Sequence, residues 1–199
     1  ATHFTRDFNE LWDEFWVGNI DNTGADEISL VDRTQGRLSV FRADNQSSAI
    51  LNRTGSARPW RIGLIAQYDG DKGKEVIAIR NGDILPSFYV LEYDNGDFEE
   101  PVDEVFTPSP RFAFAADIND DGQEEIVMLR STSVEDGIRM IVRSNSQKNV
   151  PTELEQALDE DNGYESGAGG DVDGDGKDEI VIIRDNNIRV YNQPDRDAS

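Results

Sequence analysis

The stretch Gly170-Asp171-Val172-Asp173-Gly174-Asp175-Gly176-Lys177-Asp178-Glu179-Ile180-Val181-Ile182-Ile183 joins a comb of carboxylates directly to a run of β-branched aliphatics. Side-chain oxygens at alternate positions, a glycine at the sharp turn and a further acid beyond it suit a loop that wraps a hard cation such as Ca2+. In the helix-flanked calcium loop the bidentate glutamate stands at position 12, which counted from Asp171 is Ile182. The last acid here is Glu179, at position 9. Ile180 to Ile183 is too short and too uniformly apolar for an exposed helix, so the loop leads into a strand. The candidate ligands are the side chains of Asp171, Asp173, Asp175 and Glu179, with the Lys177 carbonyl between them.

Sliding this stretch back along the chain finds it three more times. The nearest copy has Asp117, Asn119, Asp121 and Glu125 at positions 1, 3, 5 and 9, with Gln123 at position 7. The next has Gln67, Asp69, Asp71, Gly73 and Glu75, with its turn glycine displaced by one. The first has Asn19, Asp21, Thr23, Ala25 and Glu27. The position-9 glutamates are 48, 50 and 54 residues apart, so four repeats of about fifty residues fill the chain. Side-chain carboxylates number four in repeat 4, three in repeats 3 and 2, and two in repeat 1. Affinity is therefore expected to be best in repeat 4 and worst in repeat 1. The bland alternative is a set of acidic β-turns without an ion.

Each repeat has one strand before the loop, an aliphatic strand after it, then a turn rich in Asp, Asn and Gly and a third strand. A less regular segment closes the first three repeats; that at 151–158 reads as a strand or a helical turn. The spans are 12–52, 60–106, 111–158 and 164–191, within a single domain over 1–199. Four-stranded antiparallel units at this period predict an all-β chain, a β-propeller of four blades. An open stack would leave end sheets prone to pairing, which favours a closed ring, with a piece of a larger propeller as the alternative. Residues 2–11 have no repeat of their own and are expected to close the last blade; 192–199 is a polar tail.

Lys and Arg number 19 against 41 Asp and Glu, a formal net charge of −22, which argues against nucleic acid and anionic membrane as partners. No run approaches the roughly 18 to 20 apolar residues of a membrane span. Without cysteine, disulfides, zinc–thiolate sites and thiol nucleophiles are absent. The one histidine, His3, lies in the N-terminal segment, so histidine-based triads have little to work with. Trp12, Trp16 and Trp60 sit before or within first strands, where blade packing outweighs sugar stacking.

The runs Asp171 to Val181 and Asp117 to Val127 resemble the loops of FG-GAP, or VCBS-like, repeats, found in the integrin α-subunit propeller and in many bacterial secreted proteins. The resemblance covers the chain as four repeats. It implies Ca2+ in each intact loop, an extracellular, secreted or cell-surface setting, and a binding role. The expectation is thus a non-enzymatic module that binds a protein or glycan, as monomer or homodimer. Its candidate binding loops are 33–37, 82–87 and 131–137. The alternative is the propeller of a secreted polysaccharide-degrading hydrolase or lyase.

Overall fold

A computed structural model of the chain describes residues 11–42, 49–54, 59–71, 73–80, 87–94, 97–105, 110–131, 138–144, 152–158, 164–184 and 187–192. They form β-strands throughout, with no helix among the described residues. The first sheet is β1 (Glu14–Gly18), β2 (Glu27–Asp32), β3 (Arg37–Arg42) and β4 (Ala49–Thr54). The second is β5 (Trp60–Ala66), β6 (Glu75–Arg80), β7 (Ser87–Asp94) and β8 (Asp97–Val105). The third is β9 (Pro110–Ala116), β10 (Glu125–Ser131), β11 (Ile138–Ser144) and β12 (Thr152–Leu158). The fourth has three strands, β13 (Tyr164–Gly170), β14 (Glu179–Arg184) and β15 (Asn187–Tyr191). In every sheet the strands lie in chain order, and the pairings are antiparallel.

The four expected repeats are therefore four small sheets, each with its second strand opening on the position-9 glutamate. Of the segment at 151–158, Thr152–Leu158 is strand β12, not a helical turn, and residue 151 lies outside the described residues. The proposed closing segment, apart from Leu11, lies outside the described residues, as do His3 and the tail from 193.

The chain divides into two compact units, Ala1–Ile65 with Val76–Val105, and Ala66–Glu75 with Phe106–Ser199. In the first, Val31, Leu38 and Val40 of the first sheet pack with Val76, Ala78, Tyr89 and Leu91 of the second. Trp60 is buried there, edge-on to Tyr89 with Arg80 over its ring, and Trp16 packs against the same core. In the second unit Phe114, Val127, Leu129, Met140 and Val142 of the third sheet pack with Ile180 and Ile182 of the fourth.

The second strands are aliphatic without alternation where both faces are covered: Val76 to Ile79 and Ile126 to Leu129 are essentially inaccessible. Strand β13, Tyr-Glu-Ser-Gly-Ala-Gly-Gly, follows from the same packing. A Cβ added at Gly169 would lie 2.3 Å from that of Ala116, and one at Gly167 would lie 2.7 Å from Phe114. Only glycine permits that approach.

Candidate metal-binding loops

One frame recurs in the loops between first and second strands, here loops 1 to 4. The position-9 glutamates, Glu27, Glu75, Glu125 and Glu179, are all buried. Each accepts a hydrogen bond on Oε2 from the N–H of position 2: Ile20 at 2.8 Å, Tyr68 at 2.7 Å, Ile118 at 3.1 Å and Val172 at 2.8 Å. The position-3 side chains, Asp21, Asp69, Asn119 and Asp173, each accept from the N–H of position 5 at 2.9–3.1 Å. In loops 2, 3 and 4 the position-5 aspartate accepts from position 7, namely Gly73, Gln123 and Lys177. These side-chain bonds impose the turn that local backbone pairing cannot supply.

Position 4 has a positive φ in all four loops: Asn22 at 55°, Gly70 at 78°, Asp120 at 59° and Gly174 at 83°. Gly24, Gly122 and Gly176 repeat this at position 6. In loop 2 the first of these two left-handed positions is Gly70, and position 6, Lys72, lies outside the described residues; at position 4 Asn, Asp and Gly are interchangeable at modest cost.

The loops differ in how the acids are balanced. In loop 4 the carboxylate oxygens of Asp171, Asp173 and Glu179 lie within 4.8 Å of one another. Asp171 also accepts from Gly174 N–H at 2.6 Å and Gly176 N–H at 3.1 Å. Asp175 is not in that group, and Lys177 contributes its N–H to Asp175. Among the described residues no Lys or Arg pairs with these acids. Hard, converging oxygens without a counter-charge fit a divalent cation of the Ca2+ type.

Loop 3 has the same arrangement around Asp117, which accepts from Asp121 N–H and Gly122 N–H, but Asn119 donates its Nδ2 to Glu125 at 2.7 Å. In loop 2 the carboxylates of Asp69 and Asp71 also lie within 4.8 Å, and Gln67 donates its side-chain amide to the Asp71 carbonyl. Burial, reinforced by the charges of Asp69 and Asp71, pushes Glu75 up to about 8. In loop 1 the cation is internal: Arg42 pairs with Asp21 at 2.5 Å. Burial would raise Asp21, yet hydrogen bonds from Thr23 and Arg42 outweigh it and hold the carboxyl low. Burial lifts Glu27. Asn19 Oδ1 is buried and accepts no hydrogen bond among the described residues. Thr23 donates its hydroxyl to Asp21, and Ala25 is half-buried.

Position 8 has a role that the spacing did not suggest. Asp178 N–H donates to the Asp117 carbonyl at 2.9 Å, and its carboxylate accepts from Asp117 N–H at 3.0 Å. Glu124 does the same with Gln67, both bonds at 2.6 Å. Position 8 of one loop thus clasps position 1 of the loop before it.

The candidate binding loop at 33–37 is a pinned hairpin. Arg33 pairs with Glu14 and donates to the Arg61 carbonyl, while Arg37 and Gln35 hold Asp32. Residues 82–86 and 132–137 lie outside the described ones.

Fold and loops together define an all-β chain of antiparallel meanders, each hinged on an acidic loop. No family model matches it, and no curated protein does. Solved structures that share the fold include rhamnogalacturonan lyase YesW, with a TM-score of 0.59 and 16% identity. Another is the Bacillus licheniformis rhamnogalacturonan lyase PL11, at 0.61 and 17%. Each match covers 87% of this chain and 40% of the solved chain. At such identity the likeness establishes the fold. It also corrects the expectation of a non-enzymatic chain, in that these two solved chains, which share the fold, are lyases. A lack of cysteine and of a histidine triad does not by itself exclude an enzyme, since carboxylates, Lys and Arg can also act as bases and charge stabilisers.

Among the described residues no helix is long and apolar enough to cross a membrane.

Proposed function

We propose that this chain is a propeller segment of a secreted polysaccharide-degrading enzyme, a lyase acting on a rhamnogalacturonan-like polymer, with structural Ca2+ in its acidic loops. The observation that supports this reading is the fold shared with two rhamnogalacturonan lyases over 87% of the chain. Four short antiparallel meanders suit propeller blades, and the loops suit FG-GAP-like repeats. The comparisons lend adhesion no support. An extracellular setting accords with loops whose expected Ca2+ affinity is about 10⁻⁴ to 10⁻³ M. The ion's role is to neutralise Asp171, Asp173 and Glu179 and so fix the joint between first and second strands. At ten times its Kd, one such ion stabilises the fold by about 1.4 kcal/mol.

The test is to incubate the chain with rhamnogalacturonan in Ca2+ or in EDTA. Binding is followed by calorimetry and unsaturated chain ends by ultraviolet absorbance. Binding and unsaturated ends in Ca2+, both reduced in EDTA, are expected. Neither signal across a panel of pectic polymers rejects the lyase reading. Identical melting curves in EDTA and in millimolar Ca2+ reject the loops as cation sites.

A further inference from the structure

Loops 2, 3 and 4 are joined by bonds that run through their ligand positions. In loop 4 Asp178 and Glu179 are neighbours on the chain but serve different loops. Glu179 accepts from Val172 N–H within loop 4, while Asp178 holds the N–H and the carbonyl of Asp117. Asp117 is position 1 of loop 3, and its own carboxylate accepts from Asp121 N–H and Gly122 N–H. One peptide unit and two hydrogen bonds therefore separate a ligand position of loop 4 from one of loop 3.

The joint between loops 3 and 2 repeats this. Glu125 accepts from Ile118 N–H inside loop 3, and its neighbour Glu124 holds both backbone groups of Gln67, position 1 of loop 2. Here a cation is built in, since Lys74 donates to the Glu124 carboxylate at 3.0 Å. Packing follows the same line: a Cβ on Gly70 of loop 2 would lie 3.0 Å from the Gln123 side chain of loop 3. Lys74 is itself position 8 of loop 2, and an ammonium has no acceptor to offer an N–H, so the series ends there.

A backbone pair held by two bonds, one of them charge-assisted, is a joint of fixed geometry. Where it lies between two loops, each ordered by side-chain bonds to its own amides, opening one loop frees the groups that hold the other. We propose that Asp178 and Glu124 are positioning residues that couple loops 2, 3 and 4, so that order in one loop, and cation affinity with it, passes to the next. The cation half rests on the reading of the loops as Ca2+ sites given above; the mechanical half does not. An ion that fixes Glu179 in loop 4 also fixes Asp178, and loop 3 then loses less freedom in closing on its own ion. The effect is reciprocal, as any coupling of affinities must be.

Hydrogen exchange in EDTA, read at Val172 for loop 4, Ile118 for loop 3 and Ile20 for loop 1, tests the coupling. Gly174→Ala strains a left-handed position with open space around it, so Val172 should exchange about tenfold faster. Ile118 should speed up several-fold with it, and Ile20 should not. In chains carrying Asp178→Ala the Ile118 response should vanish, whereas Asp178→Asn, which keeps an acceptor oxygen, should preserve it. An Ile118 rate indifferent to Gly174→Ala, equally responsive without the Asp178 carboxylate, or matched by Ile20 overturns the proposal. Calorimetric Ca2+ titration tests the cation half. Asp173→Asn weakens loop 4 with an amide that loop 3 already carries as Asn119, and loop 3 affinity should fall about fivefold, but not in the Asp178→Ala background. Loop 3 affinity indifferent to Asp173→Asn rejects transmission between the ions. No Ca2+ uptake at all rejects the Ca2+ reading itself, with the exchange result still deciding the clasp.

Discussion

In loop 4, Asp171, Asp173 and Glu179 converge with no Lys or Arg paired to them among the described residues, whereas in loop 1 Arg42 sits on Asp21 at 2.5 Å. The frames are otherwise the same: a buried glutamate bonded to position 2, an Asx turn at position 3, and left-handed residues at positions 4 and 6. The difference teaches that the fold requires the turn and leaves open which cation balances it. One loop is balanced by a side chain already in the sequence, another gathers acids that could hold an ion, and in loop 2 burial pushes Glu75 up to about 8, towards its neutral form.

The largest effect should come from the proton on Glu75. Glu75 titrates near 8 when folded, against an ordinary value of 4.5. Between those pH values the chelated folded protein keeps a proton that the unfolded chain has lost. Glu75's contribution is therefore fully present below about 4.5 and is lost as pH rises through about 8, at about 1.4 kcal/mol per pH unit. Denaturant titrations in EDTA across this range should show the decline, and Glu75→Gln should flatten it. An equal slope in the variant would remove Glu75 as the cause.

Arg42→Ala should come next. It leaves Asp21, whose side chain is 1% accessible, without its partner, and the loss should be about 2–3 kcal/mol in EDTA. If the loops are interchangeable in principle, millimolar Ca2+ should restore part of that loss in the variant while acting less on wild-type loop 1. Melting curves with and without Ca2+ read this directly, and a loss that Ca2+ does not touch breaks the comparison.

Asn119→Asp is the smallest and most pointed change. It replaces an amide that donates to Glu125 with a fourth carboxylate, making loop 3 like loop 4. Ca2+ affinity should rise by several-fold and stability in EDTA should fall by about 1 kcal/mol. Calorimetric titration showing no gain in affinity would mean that loop 3 does not hold the ion through position 3.

The repeats, the four sheets and most strand limits were legible because the acid comb has a fixed spacing and each comb ends on an aliphatic run. Loop 4's cluster was legible for the same reason, through Asp171, Asp173 and Glu179. Arg42 was not: it stands on β3, and only the pairing of β2 with β3 brings it to Asp21. The left-handed Asn22 and Asp120 look like further ligands in a string of acids, when their backbone is what matters. Nothing in the spacing marks Asp178 and Glu124, because their partners are about sixty residues away in sequence. The first strand of repeat 4 carries little strand pattern in its sequence, since its Gly167 and Gly169 answer to Phe114 and Ala116 on another sheet.

Those glycines carry a consequence for the order of folding. A Ser-Gly-Ala-Gly-Gly segment has little tendency of its own to stay extended, so β13 becomes ordered only when the third sheet offers Phe114 and Ala116 as a template. Loop 4 starts at the end of β13, so its cation site should mature after the third sheet, following synthesis from the N-terminus. Pulse-labelled hydrogen exchange should find β14 protected later than β10, and Phe114→Ala should delay loop 4 more than loop 3. Simultaneous protection would mean that the strand needs no template.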